Sequence, residues 1–375
     1  MNDQRLWVGL DLGQRVSNIC IVDAAGAELG QLECDTSLAS LEEALAPYPR
    51  ELIETVAVEA GNDVHIVRKL RKAGYPVAIF EARKASKFLG LRRNKTDASD
   101  ARGLADLGRI GFNAVSQVHL KSPECEQDRG LLVMRNRLVT MRVAAENVLR
   151  SRLALHGRRL RAAYGPGALR RQVTSELAAL KTEDDVDLTH DLDPLIDVCE
   201  SIRAYVKALD RQIEKRVKAN EVCRLLTGVP GVGPICALSF YSAIETPERF
   251  ARPGDAAAYL GLTPRRYQSG KTSRTRGITK TGSKLTRSHL VTAAMVFGNT
   301  APDCPLKRWY DSVRERAGPV RARVALARKL AVVMLVMWKT RTPYDPDAPS
   351  RGAAARADRE AQAAACRAGE DALPA

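Results

Sequence analysis

Trp7-Val8-Gly9-Leu10-Asp11-Leu12-Gly13 is the stretch on which the reading of this chain turns. An apolar run ends on one carboxylate, and the glycine behind it lets the backbone turn sharply, so the segment reads as a first strand with Asp11 at its edge. A second apolar strand, Thr55-Val56-Ala57-Val58, ends likewise on Glu59 and is followed by Gly61. Two further acids, Asp97 and Asp100, stand three apart in Lys95-Thr96-Asp97-Ala98-Ser99-Asp100-Ala101, where an expected helix start points both to one side. Any one of them alone could be a solvated surface charge. Together they repel unless a cation lies between them. Magnesium or manganese is the expected ion, because hard divalent cations take oxygen ligands and leave room for a substrate phosphate.

The segments around these acids read as an α/β domain over residues 1–118. Trp7 to Leu12, Asn18 to Val22 and Glu28 to Glu33 form an antiparallel meander, with Ala24-Ala25-Gly26 as one of its turns. A helix over Ser40 to Ala46, the Glu59 strand, a helix over Val64 to Ala73 and a strand at Pro76 to Phe80 follow, and the Asp97 helix ends near Gly111. Strand alternating with helix after a meander predicts a mixed sheet with helices packed on it. Ahead of Asp97, Arg83-Lys84-Ala85-Ser86-Lys87 and Arg92-Arg93-Asn94-Lys95 make a basic approach, with Arg92, Arg93 and Lys95 as candidate phosphate contacts.

Over residues 119–221 strands give way to helical periodicity. Leu131, Met134, Leu138, Met141, Ala145 and Val148 recur at spacings of three and four, and Leu195, Val198, Ile202, Val206, Leu209, Ile213 and Val217 nearly repeat the pattern. Gly165-Pro166-Gly167 interrupts them, which predicts a long helical hairpin or coiled coil suited to an oligomer interface, with Arg135, Arg142, Arg150, Arg158 and Arg159 as a basic face.

Residues 222–342 read as a third, mainly helical domain. It opens on Gly228-Val229-Pro230-Gly231-Val232-Gly233-Pro234 before an apolar helix, Ile235 to Ile244. Helix, glycine-rich hairpin, helix is a pattern whose backbone N–H groups can meet a phosphate, though a plain tight turn gives the same sequence. From Ala256 to Pro302 there is no acid, while Arg265, Arg266, Lys271, Arg274, Arg276, Lys280, Lys284 and Arg287 supply eight positive charges. Surfaces normally mix their signs, so this one is expected to sit on a sugar-phosphate backbone, with Gly270, Gly277 and Gly282 allowing close approach. Within it, Tyr267-Gln268-Ser269-Gly270 places a serine among arginines that could stabilise charge on a transferring phosphate; on position alone Tyr267, Ser273 and Ser283 compete with Ser269. A helix from Val320 to Trp338 closes the core, and residues 343–375, rich in Pro, Ala and charge, read as a disordered tail.

Composition narrows the partner. The chain has 375 residues, a formal charge of +15, and 59 Lys plus Arg against 44 Asp plus Glu. Nucleic acid is the expected polyanion, since no run is long and apolar enough to span a bilayer. Met1-Asn2-Asp3-Gln4 leads into a strand with no signal peptide, and the eight cysteines form no C-x-x-C pair, which reads as a cytoplasmic, nucleoid-associated protein with reduced thiols.

Asp11, Val58-Glu59-Ala60-Gly61 and Lys95-Thr96-Asp97-Ala98-Ser99-Asp100-Ala101 resemble the N-terminal part of IS110-family (IS110/IS1111) transposases. Gly228 to Pro234, Ala258-Tyr259-Leu260-Gly261-Leu262-Thr263-Pro264-Arg265, Gln268-Ser269-Gly270 and Gly277-Ile278-Thr279-Lys280 look like that family's C-terminal transposase domain. The likeness runs in order over roughly residues 5 to 340, and only the tail departs from it. It implies a ribonuclease-H-like (RuvC-like) first domain whose Asp11, Glu59, Asp97 and Asp100 bind magnesium, and a covalent phosphoserine intermediate at the matching Ser269. It also implies donor and target DNA as substrates, a structured noncoding bridge RNA as guide, and assembly as dimers to tetramers. The competing readings are a metal-dependent junction endonuclease that needs no serine, a sugar-kinase or actin-like ATPase with a similar first strand, and a DNA-binding protein without catalysis. The basic surplus speaks against the ATPase, and the presence of all four acids against loss of catalysis.

Overall fold

The computed structural model describes residues 5–61, 63–90, 96–110, 117–163, 165, 167–269 and 272–347, the side chains of 266–276 excepted. The chain forms two compact units, Met1–Lys121 and Ser122–Ala375.

In the first unit β1 (Leu6–Leu12), β2 (Val16–Val22) and β3 (Glu28–Asp35) form the expected antiparallel meander. After α1 (Leu38–Leu45), β4 (Ile53–Glu59) returns parallel to β1; after α2 (Val64–Lys72), β5 (Val77–Phe80) lies parallel to β4. The strand order is β3-β2-β1-β4-β5 in one five-stranded mixed sheet. Side-chain alternation splits this sheet into two layers. Val8, Leu10, Ile19, Ile21, Val56 and Val58 bury one face against Leu41 and Leu45 of α1 and Ile66 and Leu70 of α2. The other face carries α3 (Ala82–Leu89) and α4 (Asp97–Ile110), with Ala57, Ala78 and Phe80 against Ala85, Leu104 and Leu107, and Cys20 and Val22 against Ala101 and Ala105. The sequence read the α3 segment only as a basic approach. It is an amphipathic helix that buries Ala85 and Leu89 and leaves its lysines outward.

The second unit begins with α5 (Pro123–Ala154), α6 (Ala168–Asp184) and α7 (Thr189–Ala219). Ser122 caps α5 by accepting from the Cys125 N–H at 3.2 Å, and Pro123 fills its first turn. α5 and α7 run antiparallel, since Asp128, Arg135 and Glu146 pair in turn with Arg216, Asp210 and Arg203. The segment that follows Gly165-Pro166-Gly167 is not a plain connection between two long helices: it contains a helix of its own, α6. One expectation is corrected here. Half of the predicted α5 seam is exposed, Met134 at 57 %, Met141 at 55 % and Val148 at 49 %, with Leu131, Leu138 and Ala145 only half-buried, while Leu132, Leu149, Leu153 and the acids Asp128 and Glu146 are buried. Glu146 is surrounded by Arg142, Arg150 and Arg203, the last at 2.8 Å, so a polar position stands inside the contact that an apolar-only reading assigns elsewhere.

α8 (Glu221–Leu226), α9 (Pro234–Ile244), α10 (Pro253–Tyr259), a hairpin of β6 (Pro264–Ser269) and β7 (Thr272–Ile278), then α11 (Lys284–Thr300), α12 (Pro305–Ala317) and α13 (Pro319–Thr340) complete the unit. Phe240, Phe297, Leu326, Leu330, Met334 and Trp338 share one core with Leu132 of α5 and Ile213 and Val217 of α7. The sequence carries no strand signal at the hairpin: its strands are rich in Arg and Thr and lack the apolar alternation by which a strand is read. Residues 348–375, the bulk of the expected tail, lie outside the described residues.

Candidate active site

The parallel pairing of β1 with β4 sets Leu10 opposite Val58. Asp11 and Glu59 are each the next residue, so both carboxylates leave the sheet at the C-terminal ends of adjacent strands. Direction follows from alternation. Gly9 faces α4, where an added side chain would collide with the Ala101 carbonyl, and Asp11, two residues on, projects to the same side. Ala57 faces Gly108 of α4, and Glu59 shares its side. α4 runs back along the sheet, with Ala101 over Gly9 near the strand ends and Gly108 over Thr55 and Ala57 further in. Its first turn, carrying Asp97 and Asp100, therefore stands at the end of the sheet where Asp11 and Glu59 emerge.

That first turn is fixed locally. The Thr96 N–H donates to Ser99 Oγ at 2.9 Å, and the Ser99 N–H donates to Thr96 Oγ1 at 3.1 Å, a reciprocal cap that the Thr96-Asp97-Ala98-Ser99 pattern could have signalled. The helix N-terminus brings its positive dipole end to the acids. Asp11, Glu59 and Asp100 are half-buried, and Asp97 is exposed. Among the described residues, no group of three or more His, Cys, Asp or Glu is placed to hold a metal ion. The elements direct the four acids toward one end of the sheet, hard oxygen donors suited in kind to a divalent cation but not drawn together into a cage. Asp106, a further acid of the same helix, belongs elsewhere: it pairs with Arg102 at 3.4 Å and Arg109 at 3.9 Å, and these arginines donate to the carbonyls of Gly26 and Ala24 in the β2–β3 turn. Arg92, Arg93 and Lys95 lie outside the described residues.

In the second unit Ser269 is the last residue of β6, opposite Thr272 across the hairpin. The same register sets Arg265 opposite Arg276 and Tyr267 opposite Arg274. Lys271 and the side chains of Arg266, Ser269, Arg274 and Arg276 lie outside the described residues. Arg265 is exposed and donates to the Thr279 carbonyl at 2.9 Å; Lys280 and Lys284 are exposed. Arg287 departs from the expectation of a phosphate contact. It is 9 % exposed and donates to the carbonyls of Leu260 and Thr281 at 3.1 and 2.6 Å, so its charge is spent inside the fold.

The glycines are corrected in the same way. Gly231, at φ +79°, faces α11, where a Cβ would stand 2.5 Å from the Ala293 carbonyl oxygen, and Val229 and Val232 beside it are buried. Gly282 abuts the Tyr259 carbonyl, whereas Gly277 has open space. Gly231 and Gly282 serve close internal packing.

Residues 8–157 match the transposase family model named for the DEDD domain of IS110 elements, and residues 223–304 match the model described as Transposase IS116/IS110/IS902 family. The chain is similar to the transposase for insertion sequence element IS1111A of Coxiella burnetii, 26 % identical over 354 residues, covering 90 % of each chain. It is 27 % identical over 301 residues to a probable family 20 transposase of Pseudomonas aeruginosa, covering 78 % of this chain and 86 % of that one. With the transposase for IS1328 of Yersinia enterocolitica it shares 24 % identity over 351 residues, 90 % of this chain and 98 % of the other. The chain belongs to the IS110 family of transposases. Membership of that family points to an insertion-sequence transposase acting on DNA. Its DEDD domain points to dependence on a divalent metal. Among the described residues no helix is long and apolar enough to cross a membrane.

Proposed function

We propose that this transposase cuts and rejoins DNA through a covalent bond to Ser269, assisted by a divalent cation, magnesium or manganese, at Asp11, Glu59, Asp97 and Asp100. One observation carries the metal reading: acids from three separate elements, β1, β4 and α4, come to one end of one face of the sheet. Carboxylates drawn together there would be costly without a cation. A bound cation would polarise a phosphoryl oxygen and offset the charge that develops on it. The order β3-β2-β1-β4-β5 supports the ribonuclease-H-like reading of this unit.

For the serine the support is positional. The hairpin brings Ser269 to the turn end of a ribbon whose register sets Arg265 opposite Arg276, a basic pair of positions suited to a polyanion. In the step proposed, the bond from Ser269 Oγ to phosphorus forms while the bond to the departing sugar oxygen breaks, and the proton lost by the serine ends on that oxygen. The phosphoserine bond conserves the energy of the broken diester, so strands rejoin without ATP. The resemblance to IS110 elements extends the proposal to a structured bridge RNA as guide, a dimer or tetramer as the working form, and a cytoplasmic, nucleoid-associated location.

Purified protein is incubated with magnesium, RNA transcribed from the flanks of its gene and DNA spanning the element ends, then run on a denaturing gel. A protein–DNA adduct in wild type, absent in Ser269→Ala and Asp11→Ala, is the expected result. Nicked DNA without adduct, unchanged in Ser269→Ala, would sink the serine mechanism and leave a metal-dependent junction endonuclease.

A further inference from the structure

Thr279-Lys280-Thr281-Gly282, between β7 and α11, is held from several sides. From α11, Arg287 donates to the Leu260, Thr281 and Gly282 carbonyls at 3.1, 2.6 and 3.5 Å; its hydrogen bonds among the described residues all go to main-chain oxygens, and burial lowers its pKa. Gly261 and Gly282, at φ +68° and +67°, close the other sides: a side chain at the first would collide with the Thr281 main chain, and one at the second with the Tyr259 carbonyl. The Lys280 N–H donates to the Gly261 carbonyl at 3.1 Å, and the Thr279 N–H donates to the Thr263 carbonyl at 2.9 Å.

Held in this way, Lys280 takes φ +59°, a left-handed conformation that a residue with a Cβ disfavours. Its side chain is exposed and has no hydrogen-bond partner among the described residues, so no local contact of the ammonium offsets the strain. Backbone strain that the surroundings over-determine is characteristic of functional positions. The cation stands at the base of the β6–β7 hairpin, in a stretch without acids.

We propose that Lys280 is a contact to a nucleic-acid phosphate, and that Arg287 is a positioning residue whose buried guanidinium clamps the loop so that Lys280 is presented in this conformation. The inference rests on the DNA-binding reading of this unit and divides the labour between two cations that composition alone makes equivalent.

The test is the salt dependence of binding, measured by fluorescence anisotropy with a labelled duplex spanning an element end and, separately, with RNA from its flank. Each phosphate contact adds about one unit to the slope of log affinity against log salt. Lys280→Ala and Arg287→Lys are each expected to lower that slope by about one, and the double variant to lower it no further than Lys280→Ala alone. The nucleic acid that shows the loss identifies the phosphate. Slopes that add to a loss of about two would make Arg287 a direct contact, and an unchanged slope in Lys280→Ala would remove Lys280 from the interface; either overturns the proposal. Lys280→Gly keeps it falsifiable should Arg287→Lys unfold: relief of strain is expected to raise the melting midpoint by about 2 °C while the slope still falls, and an unraised midpoint would count against the clamp. Wild type that binds neither nucleic acid would refute the functional reading itself, a result distinct from the others.

Discussion

Asp100 and Asp106 sit on one helix, six residues apart, and composition cannot rank them as ligands. Their surroundings do. Asp100 stands in the capped first turn beside the strand ends, whereas Asp106 is shared by Arg102 and Arg109, which tie α4 to the β2–β3 turn. Asp100→Asn is therefore expected to cut adduct formation by about a hundredfold or more with the melting curve unchanged. Asp106→Asn should do the reverse, lowering stability by about 1 kcal/mol and leaving adduct yield intact. Equal loss of adduct in both would show that the sheet-end set is wrongly drawn. At this scale the sequence offers the acids only as a pool, and partners across the fold set Asp106 apart from the others.

At the scale of elements, the site depends on how closely α4 lies on the sheet. Gly9 is where the helix backbone touches β1, and a methyl group there meets the Ala101 carbonyl, which cannot swing aside as a flexible side chain could. Gly9→Ala is expected to cost about 3 kcal/mol or more and to lower adduct yield with it, read by chemical denaturation and by the gel. Native stability in that variant would contradict the packing described. The strand run from Trp7 to Leu12 was legible from its apolar residues, but the reason for Gly9 inside it was not, because the partner lies some ninety residues away. The long helices teach the converse lesson. Their length was plain from periodicity, yet the buried face of α5 includes Asp128 and Glu146, which are compensated by Arg216 and Arg203 of α7 and, for Glu146, also by Arg142 and Arg150 of α5 itself.

For the whole molecule, pH gives a readout that needs no DNA. His289 of α11 is held well below its ordinary value, from 6.5 to about 4, by burial and then by the charge of Arg135 on α5, and its buried Nδ1 has no hydrogen-bond partner. The folded state therefore binds this proton less readily than the unfolded chain. Its contribution is complete above about pH 6.5 and is lost as the pH falls toward about 4, on the order of 2 kcal/mol across that window. His289→Gln should flatten this part of the stability profile, measured by urea denaturation at stepped pH. A profile identical to wild type would show that His289 does not carry the acid sensitivity.

By itself the sequence determined the order of the five strands in the first unit and all of its main helices but α3, because apolar alternation and glycine stops are local signals. It also pointed to a polyanionic partner, because net charge and a stretch without acids need no folding to be counted. The tertiary structure decided which charges are available for that partner. Arg287, Gly231 and Gly282 look in sequence like neighbours of a phosphate, and each is committed to a backbone contact inside the fold. A buried donor must find an acceptor, and a close backbone approach must exclude a Cβ; both demands come from residues distant in the chain and leave no mark on the neighbouring sequence.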